Sequence, residues 1–268
     1  MSMETEKIIT SSSNQVIKLA RSLHQKKKRR ESGLFLVEGI HHVGSVIEAY
    51  WDIHSVLYSP ELLTSDYGLQ LIEDQKEHGI GCYQIAPYLF KNIAGKENPQ
   101  GILAIVQQQM QVLESIDVPT FKWAIAMVAP QDPGNVGTII RTMDSVGANG
   151  LFLLDGGVDQ YHPSCVRAAM GALFWNPIIQ TSFSELVEWG RLNGYKMIGS
   201  SAHADSDYRV LASNKKPCIL LLGNEQKGLT SEQIDSCDLV VSLPMQGHSS
   251  SLNLSVAAGV LMYAMLTD

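Results

Sequence analysis

Five apolar runs in the second half of this chain, each broken off by a small or polar loop, constrain its fold more than any other feature. They are "WAIAMVA" (123–129), "GLFLLDG" (150–156), "KMIGSSA" (196–202), "PCILLLGNE" (217–225) and "LVVSLPM" (239–245). Runs this short and without polar alternation read as strands buried on both faces. Between and after them lie stretches with helical spacing: "TIIRTMDSVGA" (138–148), "HPSCVRAAMGALFW" (162–175), "SELVEWGRLNG" (184–194) and "SLNLSVAAGVLMYAML" (251–266). Strand, loop and helix in repetition predict an α/β fold with a parallel sheet covered on both faces.

The first half alternates as well. "NQVIKLARSLH" (14–24) is an amphipathic helix and "GLFLVEG" (33–39) a buried strand. "HHVGSVIEAYW" (41–51) reads as a helix, "HSVLYS" (54–59) as a strand, and "PELLTSDYGLQLIEDQKEHG" (60–79) as a helix starting at its proline. "GCYQIAPYLFKNIAG" (81–95) gives another helix and "GILAIVQQQ" (101–109) a strand. The boundaries predicted are a small α/β domain over 1–108, a linker without clear periodicity over 109–120, and a second domain over 121–268.

Composition narrows the function classes. No stretch reaches eighteen uncharged apolar residues, and the N-terminus has no signal-peptide core, so neither a membrane span nor secretion is expected. Cys82, Cys165, Cys218 and Cys237 are far apart with no CxxC pair, which points to reduced thiols in the cytoplasm and to no metal site. The net charge of −7 conceals a basic run, "KLARSLHQKKKRR" (18–30), with seven Lys/Arg and no acid. Such a run is either a solvated face or an arm for nucleic-acid phosphate, with Lys26, Lys27, Lys28, Arg29 and Arg30 as the candidate contacts.

In an open α/β sheet, ligands bind beyond the carboxyl ends of the strands. Three loops there are unusual. In "PQDPGNVGTIIR" (130–141), Pro133 and Gly134 make a turn, Asn135 follows, Gly137 lets the backbone pass close to a neighbour, and Arg141 lies one turn into the next helix. "LLLGNEQKGL" (220–229) is Gly-rich, yet it is neither GxxxxGK[ST] nor GxGxxG, which argues against a P-loop and a dinucleotide fold. "SLPMQGHSSSLNLSVA" (242–257) puts four Ser and an Asn before the last helix, where one capping residue would suffice.

Taken together and in this order, the motifs Asn-x-Gly-x-x-x-Arg, Gly-Asn-Glu-x-x-Gly-Leu and Pro-Met-x-Gly-x-x-x-Ser-Leu-Asn-x-Ser-Val-Ala resemble the SpoU/TrmH branch of the SPOUT methyltransferase superfamily over roughly 121–268. The first domain resembles the ribosomal-protein L30e-like RNA-binding domain attached to that branch. The resemblance implies a C-terminal segment threaded into a deep trefoil knot, a homodimer, S-adenosylmethionine as cofactor, and methyl transfer to a ribose 2′-hydroxyl of structured RNA. Ribosomal RNA is the expected substrate; transfer RNA, or a non-catalytic RNA-binding protein of the same fold, is the alternative.

Carried onto this sequence, the resemblance places Asn135, Arg141, Glu225, Ser251 and Asn253 at polar active-site positions. Gly223, Leu243 and Leu252 fall at cofactor-contacting positions, with Met245, Ser200 and Ala202 as neighbours. The chain departs from the pattern at Ala169, where Ser is frequent, at Gln226, where Gly is common, and at Leu243, where Ile is common. His41, His42, His162 and His248 lack ligand-spaced partners, and Trp51, Trp123, Trp175 and Trp189 read as core or dimer contacts.

Overall fold

The computed structural model describes residues 8–95, 97–213 and 217–266, which divide into two compact units. Unit 1 takes 1–109 together with 161–174; unit 2 takes 110–160 and 175–268.

Unit 1 is built from α1 (Gln15–Ser22), α2 (Lys26–Ser32), β1 (Leu34–Glu38), α3 (Ile40–Glu48), β2 (Ile53–Tyr58), α4 (Asp66–Glu77), β3 (Gly81–Gln84), α5 (Pro87–Ile93) and β4 (Ile102–Gln107). Its four-stranded sheet runs β1-β4-β2-β3; β4 is antiparallel to both neighbours and β2 is parallel to β3. Ile17, Ala20 and Leu23 pack with Leu36, Leu57, Phe90 and Ile105 in one core. Two predicted elements are corrected. The helix expected from Pro60 begins at Asp66, because the Ser65 side chain accepts from Gly68 N and starts it there. Residues 81–84, expected as part of a helix, pair with β2 as β3.

The basic run 18–30 spans the second half of α1, the turn after it and most of α2. Arg29 is 1% exposed, and its Nη1 donates to the carbonyl oxygens of Leu23 (2.8 Å) and His24 (3.0 Å), beyond the end of α1. The expectation that Arg29 meets RNA is therefore corrected: its charge is used inside the unit to satisfy carbonyls that a helix end leaves without partners. Lys26, Lys27, Lys28 and Arg30 are exposed, with Lys28 Nζ 2.7 Å from Glu31 Oε2.

Unit 2 contains β5 (Trp123–Val128), α6 (Pro133–Ser145) and β6 (Leu151–Leu154). The chain then enters unit 1 as α7 (Pro163–Ala168) before returning as β7 (Ile178–Thr181), α8 (Phe183–Leu192), β8 (Lys196–Ser200), β9 (Ser206–Asp207), β10 (Cys218–Leu222), α9 (Ser231–Asp235), β11 (Leu239–Ser242) and α10 (Leu254–Ala264). Its seven strands run β7-β6-β5-β10-β8-β11-β9, all parallel. The parallel sheet is as expected from the apolar runs: β5, β6 and β10 are buried at every position.

The segment between β6 and β7 departs from expectation. The helix predicted over 162–175 ends at Ala168, because Met170 (φ 50°) and Gly171 (φ 91°) are left-handed. Residues 161–174 are built into unit 1. Trp51 Nε1 donates to Phe174 O (2.9 Å), the Tyr161 hydroxyl donates to Gln109 O (2.6 Å), and Arg167 Nη1 donates to Gly95 O (3.3 Å). A Cβ on Gly171 would stand 2.6 Å from Ser45 Oγ, so the chain passes where only glycine fits. Trp51 and Tyr161 form ring contacts with Phe35, and Trp123 is fully buried, whereas Trp175 is 55% exposed and lies outside the core.

Candidate active site

The three unusual loops meet beyond the carboxyl edge of the unit 2 sheet. β5 and β10 are adjacent there, and strand order reverses between them, the place where α/β sheets open a crevice.

Asp132 caps α6, its Oδ1 accepting from Asn135 N at 2.7 Å, and Pro133 takes the first helical position. The helix thus starts five residues earlier than its apolar spacing suggested. Asn135 and Gly137 lie on α6 and not in a loop, and Arg141 is two turns in, not one. At 1.5 Å and 100° per residue, Arg141 sits about 9 Å along the axis from Asn135 and roughly a third of a turn around it. It is exposed and makes no side-chain hydrogen bond or ion pair among the described residues.

The second loop closes on itself. Asn224 and Gly228 exchange backbone hydrogen bonds (3.1 and 2.8 Å), and a Cβ on Gly223 would lie 2.3 Å from the carbonyl carbon of Gly228. Only glycine fits at 223. The Glu225 carboxylate accepts from Gln131 N (3.1 and 3.2 Å) and Asp132 N (3.2 Å), so it joins the second loop to the first. Asn224 Nδ2 donates to Ala129 O at 2.9 Å.

The third loop is tied to the first through Asn253. Its Oδ1 caps α10, accepting from Ser255 N (2.9 Å), Ser255 Oγ (2.6 Å) and Val256 N (3.4 Å), which fixes the amide orientation. Its Nδ2 therefore donates to Asn135 Oδ1 at 3.0 Å. Asn135 keeps both Nδ2 protons unspent among the described residues. Ser251 is exposed and its hydroxyl makes no side-chain bond among them. Asn135, Glu225 and Asn253 are thus linked through these bonds, while the side chains of Arg141 and Ser251 make no hydrogen bond to them among the described residues.

The residues expected at the cofactor also share an edge. Gly223 follows β10, Ser200 ends β8 and Leu243 follows β11, and these three strands are neighbours in the sheet. Leu243 and Met245 are half-buried, Ala202 is exposed, and Leu252 is 43% exposed. The backbone groups of Leu243, Met245 and Leu252 are not used in hydrogen bonds among the described residues. Apolar side chains next to unspent backbone donors and acceptors are what an adenine ring needs, so the residues fit S-adenosylmethionine. Among the described residues no group of His, Cys, Asp and Glu is placed to hold a metal ion.

Sequence reasoning missed Asn224 and Asp132. Asp before Pro at a helix start was a legible capping signal. Asn224 stood inside a quoted motif, but its two-ended hydrogen bonding exists only once the loops meet. His162 caps α7 with Nδ1 facing Ser164 N, and Cys237 is a half-buried thiol whose pKa burial, then Asp238, pushes up to about 11.

A seven-stranded parallel sheet whose strand-end loops are cross-tied by side-chain amides and a carboxylate makes this an α/β protein with its candidate site at the carboxyl ends of the strands. The chain belongs to the SpoU rRNA Methylase family, which matches residues 122–263; the MRM3-like substrate binding domain matches residues 14–104. It is 30% identical to the 23S rRNA (guanosine(2553)-2′-O)-methyltransferase RlmP of Bacillus subtilis, over 96% of this chain and 98% of that one. It is 32% identical to a 23S rRNA (uridine(2479)-2′-O)-methyltransferase of Streptomyces viridochromogenes, over 90% of this chain and 85% of that one. Among solved structures it is similar to an AdoMet-bound rRNA methyltransferase from Sinorhizobium meliloti, with a TM-score of 0.87, 31% identity and 97% of each chain covered.

Proposed function

We infer that this chain is an S-adenosylmethionine-dependent methyltransferase acting on a ribose 2′-hydroxyl of large-subunit ribosomal RNA. The observation that carries this reading is the Asn253–Asn135 bond, which joins the first and third motif loops beside the Glu225 tie. The cofactor supplies an electrophilic methyl group on a sulfonium. The chain's own residues must hold the ribose, align its 2′-oxygen and favour loss of its proton. In this reading Asn135 Nδ2 and Ser251 Oγ are the donors that orient the ribose. The Arg141 guanidinium is a fixed cation, not a base; its planar fork suits an RNA phosphate, and it polarises the hydroxyl while the phosphate or solvent takes the proton. Glu225 holds loops together and takes no proton in this scheme.

The reading includes a homodimer. α10 buries Ala258, Leu261 and Met262 but exposes Val256, Val260 and Tyr263, an apolar stripe at helical spacing that a second copy would cover. It also includes a C-terminal segment threaded as a deep trefoil knot, an L30e-like unit 1 that holds RNA, and residence in the cytoplasm with ribosomal RNA. α10 packs on α6, where a Cβ built on Gly259 would stand 3.9 Å from the Thr142 methyl carbon. No helix of the described residues is long and apolar enough to cross a membrane.

The test is ribose-methylation mapping of RNA from cells with and without the gene, paired with purified protein, radiolabelled cofactor and ribosomal or transfer RNA transcripts. One 2′-O-methyl mark on large-subunit RNA, lost with the gene and restored in vitro, is expected. A mark on transfer RNA instead, or no transfer despite cofactor binding, would overturn the reading.

A further inference from the structure

We propose that Asn224 is a positioning residue for methyl transfer. This rests on the activity inferred above. The chain leaves β5 through Ala129, whose φ of 41° is left-handed, a conformation that a residue with a Cβ rarely adopts. Such outliers persist only where the surroundings over-determine them. Here the surroundings are explicit. Ala129 N donates to Leu154 O at 2.8 Å, and Val158 N donates to Pro130 O at 2.9 Å. On the same side Gly157 is packed so closely that a Cβ would meet Pro130 O at 2.4 Å. From the other side Asn224 Nδ2 donates to the Ala129 carbonyl at 2.9 Å.

The opposite end of the same amide organises the second loop. Asn224 Oδ1 accepts from Gln226 N (3.0 Å) and Lys227 N (3.2 Å). One side chain thus folds its own loop and grips the turn that launches the first motif, while Glu225 next to it grips Gln131 and Asp132. The chemistry requires asparagine. Aspartate keeps the acceptor but turns the donor into an oxygen facing a carbonyl, and serine is too short to serve both loops. The turn at Ala129 sets where Pro133 starts α6, and hence where Asn135 and Arg141 stand. Displacements of about 1 Å in such groups cost up to about a hundredfold in rate.

The experiment uses the full-length protein, steady-state methylation of a ribosomal RNA fragment, cofactor calorimetry and thermal melting. It compares wild type, Asn224→Asp, Ala129→Gly and the double variant. Asn224→Asp should lower kcat about tenfold to a hundredfold, with KM for RNA and Kd for S-adenosylmethionine nearly unchanged. Ala129→Gly in that background should restore most of the kcat, because glycine takes the left-handed turn without being held. Asn224→Ser, neutral and smaller, serves if Asn224→Asp does not fold, and the same split and rescue are expected. An Asn224 variant with wild-type kcat would overturn the proposal. So would a loss that Ala129→Gly leaves unrepaired while Tm and cofactor affinity fall in parallel, which would mark a merely structural role. A wild-type protein that methylates no ribosomal RNA would overturn the activity reading itself.

Discussion

Asn253 Nδ2 lies 3.0 Å from Asn135 Oδ1, so the residue that caps the last helix also holds a residue in the first turn of α6, 118 positions earlier in the chain. Two functions are combined in one amide, and they can be separated. Asn253→Asp keeps the capping oxygen and removes the donor toward Asn135. Asn253→Ala removes both, and losing a cap alone costs about 1 kcal/mol. Thermal melts should place Asn253→Asp close to wild type and Asn253→Ala below it, while both lose most RNA methylation. If Asn253→Asp methylates normally, the bond to Asn135 has no part in turnover.

The Asn253 pair shows what the sequence could and could not convey. Five of the seven strands of unit 2, their parallel direction and the three motif loops were legible, because buried strands are nearly uniformly apolar and their loops are small and polar; β7 and β9, short and partly polar, were not. The start of α6 was misread by five residues: periodicity was followed from Thr138, whereas Asp132 and Pro133 set the boundary. The fate of 161–174 was not legible, since an apolar helical stretch does not say which core it joins. Arg29 looked like its four basic neighbours; only the folded unit shows that its side chain turns inward.

Arg141 should be the residue whose loss damages turnover most. Its side chain is exposed and makes no hydrogen bond or ion pair among the described residues, so its replacement removes neither. Arg141→Ala should abolish methylation while leaving Tm and cofactor Kd unchanged. Arg141→Lys should rescue poorly, because an ammonium cannot form the two parallel bonds of a guanidinium fork. Retention of most of the wild-type rate by Arg141→Ala on saturating RNA would refute the role.

The excursion of 161–174 into unit 1 bears on truncation. Tyr161, Cys165, Val166, Ala169, Leu173 and Phe174 are each at most 5% exposed, within the unit that residues 1–109 largely build. A fragment starting at 110 would carry these side chains without their core. It should melt lower and aggregate, and replacing 161–174 with a short polar loop should restore solubility. A well-behaved fragment with an unchanged Tm would show that the strap is dispensable.

Glu185 offers a pH test. In the capping box at the start of α8, the Ser182 backbone N–H and then the Thr181 and Ser182 hydroxyls hold its carboxyl down from 4.5 to about 2. A carboxylate with a depressed folded value stabilises the protein above its unfolded value, and that contribution fades as pH falls toward the folded one. The stability difference between wild type and Glu185→Gln, read from urea midpoints, should be greatest near neutral pH and shrink between about pH 5 and pH 2. A difference independent of pH over that window would mean that the charge on Glu185 does not matter.

Of the five basic residues at 26–30, four have exposed side chains and one does not. Lys26, Lys27, Lys28 and Arg30 are exposed on α2; Arg29 is enclosed, with Leu23 and His24 carbonyls on its guanidinium. Each phosphate that a cation neutralises releases a counterion, so log affinity falls with log salt at a slope of roughly −0.7 to −0.9 per contact. Replacing the four exposed residues with Gln should flatten that slope by up to about three units, with Tm unchanged. Arg29→Gln should do the reverse. It leaves two carbonyls short of a donor within unit 1, so Tm falls, while the salt slope measured on the folded protein stays at the wild-type value. Equal slopes for wild type and the fourfold variant would make α2 a solvated face, and a changed slope for Arg29→Gln with an unchanged Tm would put Arg29 back at the RNA surface.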